Sequence, residues 1–134
     1  MAHENWAALK GVRAYPQSYG QTAVIEDGYI SDIQTSNTIY TVPAGKTLTL
    51  LAVYLGHGAS AAAVFKRCHL DIGASPILHL YYGGYGTYEL IGKFTTTMSL
   101  GNGIQIPAGT VITLQADAAG VYWRGGIVGF IEDA

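Results

Sequence analysis

The stretch "TYELIGKFTTTMSL", from Thr87 to Leu100, alternates along its whole length. Tyr88, Leu90, Gly92, Phe94, Thr96, Met98 and Leu100 share one side. Thr87, Glu89, Lys93, Thr95, Thr97 and Ser99 share the other, with Ile91 the one apolar exception. Successive side chains point to opposite faces only in an extended chain. A period of two sustained this far commits the segment to a half-buried antiparallel strand. A strand with one apolar face needs a second layer to bury it, so the question becomes what the rest of the chain supplies.

The rest supplies more strands. From residue 21 onward, short segments rich in Val, Ile, Thr and Tyr are separated by Gly, Pro, Asn and Asp. The expected strands are 21–26, 29–34, 38–42, 47–56, 62–70, 77–82, 88–100, 110–116 and 121–131. The expected turns are "EDG" (26–28), "SN" (36–37), "PAG" (43–45), "GHGAS" (56–60), "DIGASP" (71–76), "GGYG" (83–86), "GNG" (101–103), "PAG" (107–109) and "DAAG" (117–120). Gly supplies positive φ and Pro presets a turn, so this punctuation has a mechanism. Many short strands without a helical period between them point to a sandwich or barrel. One phrase occurs twice: "TVPAGKTLTL" at 41–50 and "QIPAGTVITL" at 105–114. Pro closes a strand because it cannot donate to a ladder, Ala-Gly turns the chain, and an alternating strand follows. Two such corners are expected of two packed four-stranded sheets built from Greek keys, a jelly roll. The segment "TLTLLAVYL" turns apolar on both faces from Leu50, which predicts cover on both sides.

The first twenty residues differ in character. Trp6, Leu9, Val12, Tyr15 and Tyr19 are scattered among polar residues and interrupted by Pro16. The segment reads as an extended N-terminal arm (1–20) on an all-β, antiparallel β-sandwich domain (21–134), with a short helix possible over 5–10.

Composition narrows function by exclusion. Charged residues are 12% of the chain, against ~25% in an average domain. So uncharged a surface is either the Thr/Ser/Gly/Tyr surface of a β-domain or one covered by other copies or a partner. The net charge is −2 with no Lys/Arg run, so no nucleic-acid footprint is expected. No apolar run approaches the ~18–20 residues of a membrane span, and the N-terminus lacks the apolar core of a secretory signal. Synthesis in a cytoplasm is the expectation.

No catalytic kit stands out. Cys68 is the sole cysteine, so neither an intrachain disulfide nor a Cys-based metal frame is possible. Its neighbour His69 should point to the opposite face and cannot serve as its base. His69 and His79 flank a turn near Gly73-Ala74, at the spacing of a directly opposed cross-strand pair. They are weak candidates for a metal site, because zinc wants four ligands; no metal or other cofactor is expected. Asp27, Asp32, Asp71 and Asp117 read as turn residues; Arg124 in "YWRGG" could stack on Trp or Tyr or pair with an acid across subunits, though a solvated strand charge is the first reading. The cluster "YYGGYGTY" gathers Tyr81, Tyr82, Tyr85 and Tyr88 around glycines. Tyrosine joins an apolar ring to a polar tip, which suits sugar stacking, subunit contact or plain turn packing.

The segments "YTVPAGKTLTLLAVYL" (40–55), "QIPAGTVITLQAD" (105–117) and "GGIVGFIEDA" (125–134) together resemble small virion proteins of tailed bacteriophages, in particular capsid decoration (cement) proteins. The likeness covers residues 37–134. It implies a non-enzymatic jelly roll on the outer capsid lattice, often a trimer, that bridges major capsid protein capsomers against internal DNA pressure. In that role Trp6, Leu9, Val12 and Tyr15 of the arm, with Leu51 and Val53 of the doubly apolar strand, would make the capsid or subunit contacts. The competing reading is a tail-fibre or spike head, or a carbohydrate-binding module, that meets a glycan through the tyrosine loop.

Overall fold

The structure, a computed structural model, describes residues 20–31, 33–58, 65–83 and 95–134. Among these residues every regular element is a strand: β1 (Thr22–Ile30), β2 (Ser36–Thr41), β3 (Lys46–His57), β4 (Phe65–Ile72), β5 (Ser75–Gly83), β6 (Thr95–Ile106), β7 (Val111–Ala116) and β8 (Trp123–Asp133). They form two four-stranded sheets, ordered β1-β8-β3-β6 and β2-β7-β4-β5. Every pairing is antiparallel. This is the expected jelly roll.

The order has a simple origin. Partners march outward from the turn at Gly73-Ala74: His69 opposes His79, Leu48 opposes Ile106, and Thr22 opposes Ile131. The domain is one long hairpin rolled into two layers. The doubled phrase now has its explanation. The first "PAG" carries the chain from β2 to β3 and the second from β6 to β7, so both are crossings between the sheets. They lie side by side: the Val42 amide donates to the Thr110 carbonyl (3.0 Å), and the Gly109 amide to the Val42 carbonyl (2.9 Å).

The core fills the space between the sheets. Leu48, Leu50 and Leu55 of β3, Ile30 of β1, Leu70 of β4, and Ile112 and Leu114 of β7 are completely buried. Each such side chain contributes about 1.5–3 kcal/mol relative to exposure. On β3 the buried apolar side chains are Leu48 and Leu50, then Val53 and Leu55. The phase slips because Leu51 is an extra residue opposite β8, where Leu50 pairs with Gly129 but Ala52 with Val128. A bulge of this kind explains part of the doubly apolar run.

Three expectations change. "EDG" is not a turn: β1 runs straight through it, pairing Asp27 with Gly126 and Gly28 with Gly125. Gly28 is there for space, since a Cβ would come within 3.0 Å of Ile39 on the facing sheet. "GNG" is not a turn either. It lies inside β6, where pairing to β3 jumps from Leu50↔Ile104 to Ala52↔Ser99. Asp27 and Asp71 are strand residues rather than turn residues. The possible helix at 5–10, the arm as a whole and the strand residues 88–94 lie outside the described residues.

Candidate functional site

The antiparallel register of β1, β8 and β3 builds two cross-strand rows on the outer face of their sheet. Tyr29, Arg124 and Gly56 form one row, and Asp27, Gly126 and Tyr54 the next. Gly126 makes the second row work. A Cβ there would come within 2.5 Å of the Tyr54 ring, so the bare glycine lets that ring lie across β8 toward Asp27. The Tyr54 hydroxyl donates to Asp27 Oδ2 at 3.4 Å. Arg124 donates to the same oxygen from Nε (2.9 Å) and Nη2 (2.5 Å). Arg124 is therefore paired within the chain rather than merely solvated.

The charges follow from these contacts. Hydrogen bonding from Arg124, and then its positive charge, hold the Asp27 carboxyl below its ordinary range. Burial, and then the Asp27 charge, push the Tyr54 phenol up. Burial lowers the His57 imidazole, so it favours the neutral form.

Beside the ion pair opens a cleft of about 320 Å³, lined by Tyr29, Tyr54, His57, Tyr122, Trp123 and Arg124. The Tyr29 and Tyr122 rings are 5.9 Å apart and tilted by 30°. His57 meets Trp123 edge-on at 5.8 Å. The Gly58 amide donates to the Tyr122 carbonyl at 2.9 Å, closing this end of the sheet. Trp123 is 1% exposed, and its indole N–H has no hydrogen-bond partner among the described residues.

The other sequence-derived candidates are placed as follows. His69 and His79 do oppose each other across β4 and β5, with ring centroids 5.6 Å apart. His69 Nδ1 bonds the Asp71 carboxylate. No group of three or more His, Cys, Asp or Glu side chains suited to a metal occurs among the described residues. Tyr81 is 64% exposed on β5 and borders a shallow depression with Lys66, Arg67 and Asp117. Tyr82 belongs to β5, while Tyr85 and Tyr88 lie outside the described residues, as do Trp6, Leu9, Val12 and Tyr15. Leu51 is half-buried at the bulge. Val53, expected at a contact surface, is instead 1% exposed in the core, because the bulge turns it inward. Cys68 is fully buried, and burial pushes its thiol up to about 12. Burial thus disfavours the thiolate, as expected of an inert core thiol.

Sequence reasoning missed the cleft. Its members come from strands at opposite ends of the chain, and only "YWRGG" (122–126) hinted at it.

No protein-family model and no curated protein matches the sequence. Among solved structures, the fold is similar to a chain of the capsid asymmetric unit of cyanophage Pam1. The TM-score is 0.55 and the identity 12%, over 89% of this chain and 91% of that one. A weaker likeness is to the virus-like particle of the extra small virus of the giant freshwater prawn Macrobrachium rosenbergii, with TM-score 0.44, identity 14%, and coverage of 87% and 82%. At these identities the shared feature is the jelly-roll fold.

Proposed function

We propose that this chain is a structural, non-enzymatic virion protein that decorates the outer surface of a viral capsid, binding major capsid protein and assembling with itself as a trimer. The supporting observation is the extent of the shared fold: it spans 89% of this chain and 91% of the Pam1 capsid chain. A jelly roll also serves lectins and cupins, and fold alone does not choose among them. The surface favours the capsid reading. Large apolar residues stand exposed on and just after β1: Ile25 at 72% and Ile33 at 83%. Clustered exposed apolar residues mark surfaces that partners cover. These adjoin the apolar arm in sequence, so arm and β1 would form one contact zone.

The test uses particles of the virus whose genome encodes the chain, purified on a density gradient. An antibody against the chain should label intact heads evenly over their surface. Full-length protein should rebind particles stripped of it, whereas a chain lacking residues 1–19 should stay folded and fail to bind. Label confined to tails, or absent from particles, overturns the reading.

A further inference from the structure

The lining of the cleft between β1, β3 and β8 includes neither Ile25 nor Ile33, the apolar residues proposed above for contact. We infer that it is a binding site for a neutral pyranose saccharide, with Tyr29 and Tyr122 as its stacking platform and the Asp27–Arg124 pair as its polar clamp. At about 320 Å³ it sits at the small end of ligand pockets, which run roughly 300–1,000 Å³. That is room for one or two sugar rings.

The lining chemistry selects the class. A pyranose has an apolar C–H face and an edge of hydroxyls. The face wants an aromatic ring. Tyr29 and Tyr122 are 48% and 37% exposed, and at 5.9 Å and 30° they lie beside each other rather than covering each other. Tyrosine offers such area at small entropic cost, since only two torsions need be fixed. The hydroxyl edge wants donor and acceptor together, because each hydroxyl does both. Arg124, which lines the cleft, donates, and Asp27, held beside it by its bonds from Arg124 and Tyr54, accepts. Together they carry no net charge, so the cleft favours neither a phosphate nor a cation.

Tyr29, Tyr54 and Arg124 sit on paired strands and Tyr122 immediately precedes β8, which limits the ordering cost of binding.

This inference does not depend on the capsid reading and differs in place from the Tyr81–Tyr88 cluster. The test titrates the full chain with cellotriose, maltotriose, galactobiose and the N-acetylglucosamine trimer, with sialyllactose as an anionic comparison. Binding is read by intrinsic tryptophan fluorescence and confirmed by calorimetry. At least one neutral oligosaccharide should bind at millimolar concentration or below. Tyr122→Ala and, separately, Tyr29→Ala should weaken it at least about tenfold without lowering Tm, and Tyr81→Ala should leave it unchanged. Three results overturn the proposal: no neutral sugar binding at tens of millimolar, preference for sialyllactose, or loss of binding in Tyr81→Ala alone.

Discussion

Replacing the glycines of the two matched corners by alanine separates backbone conformation from packing. Gly45 and Gly109 have φ of 74° and 83°, and a Cβ on either would meet nothing within 4 Å. Only conformation is at stake. An L-residue in the left-handed region costs roughly 1–2 kcal/mol, and alanine returns about 0.4–1 kcal/mol by narrowing the unfolded ensemble. The net expectation is about 1 kcal/mol for each substitution. The two corners are joined through the Gly109–Val42 hydrogen bond, so any departure of the double variant from additivity measures their coupling. Gly103→Ala is the contrast. There φ is 97°, and the new Cβ would lie 2.6 Å from Thr49 Cγ2, 3.0 Å from Leu51 Cδ2 and 3.2 Å from the Leu50 carbonyl. Thr49 is only 7% exposed and the carbonyl belongs to a paired strand, so neither can move far. Overpacking adds roughly 1–3 kcal/mol to the conformational cost, for a total of about 2–4 kcal/mol. Urea unfolding followed by aromatic fluorescence reads all four variants at a common slope. If Gly45→Ala and Gly109→Ala differ strongly from each other, the corners are not equivalent. If Gly103→Ala costs no more than they do, the close approach of β6 to the β3 bulge is wrong.

Two further outcomes follow from the titrating groups. Cys68 should resist a disulfide reagent at mildly alkaline pH and react at once in urea. Its folded value of about 12 lies above its ordinary 9.0, so the stability it contributes is complete below pH 9.0 and lost as pH rises toward 12. Asp27 has the opposite sign. Its carboxyl sits below the ordinary 3.8 because of Arg124, so its contribution is present above 3.8 and lost as pH falls through the lower folded value. Asp27→Asn should therefore lower the urea midpoint near neutral pH and make little difference well below 3.8.

Much of the architecture was legible in the sequence because its determinants are local. The "PAG" corners, the Gly73-Ala74 turn and the period-two alternation each act within a few residues. The His69–His79 pairing followed from counting outward from one turn. The errors were also physical. Glycines at 28 and at 101–103 were read as turns, yet Gly28 makes room for Ile39, and Gly101 and Gly103 shape a bulge within β6. Glycine serves close approach and bulges as well as turns. The Asp27–Arg124–Tyr54 contacts and the cleft beside them depend on β1 meeting β8, and no local pattern reports that pairing.

The bulge also relocates the surface that wants a partner. An unbroken apolar run from Leu50 implies a strand covered twice. With Leu51 as the extra residue, Leu48, Leu50, Val53 and Leu55 all turn inward, and Leu51, Ala52 and Tyr54 are already half-buried. The demand for cover therefore falls mainly on β1, where Ile25 is 72% exposed above a groove shared with Tyr54 and Val128. A lysine at that position meets open solvent in the isolated chain, so Ile25→Lys should change stability by no more than about 0.5 kcal/mol. In an assembly that buries β1 it would place an unpaired charge in an apolar contact, which is far more costly. Light scattering after gel filtration should find the wild type as a trimer and the variant as a monomer with the same unfolding midpoint. A variant that elutes as a trimer alongside the wild type would mean that β1 is not the subunit contact. A wild type that is itself monomeric would refute the trimer, and particle rebinding by Ile25→Lys would then show whether β1 faces the capsid.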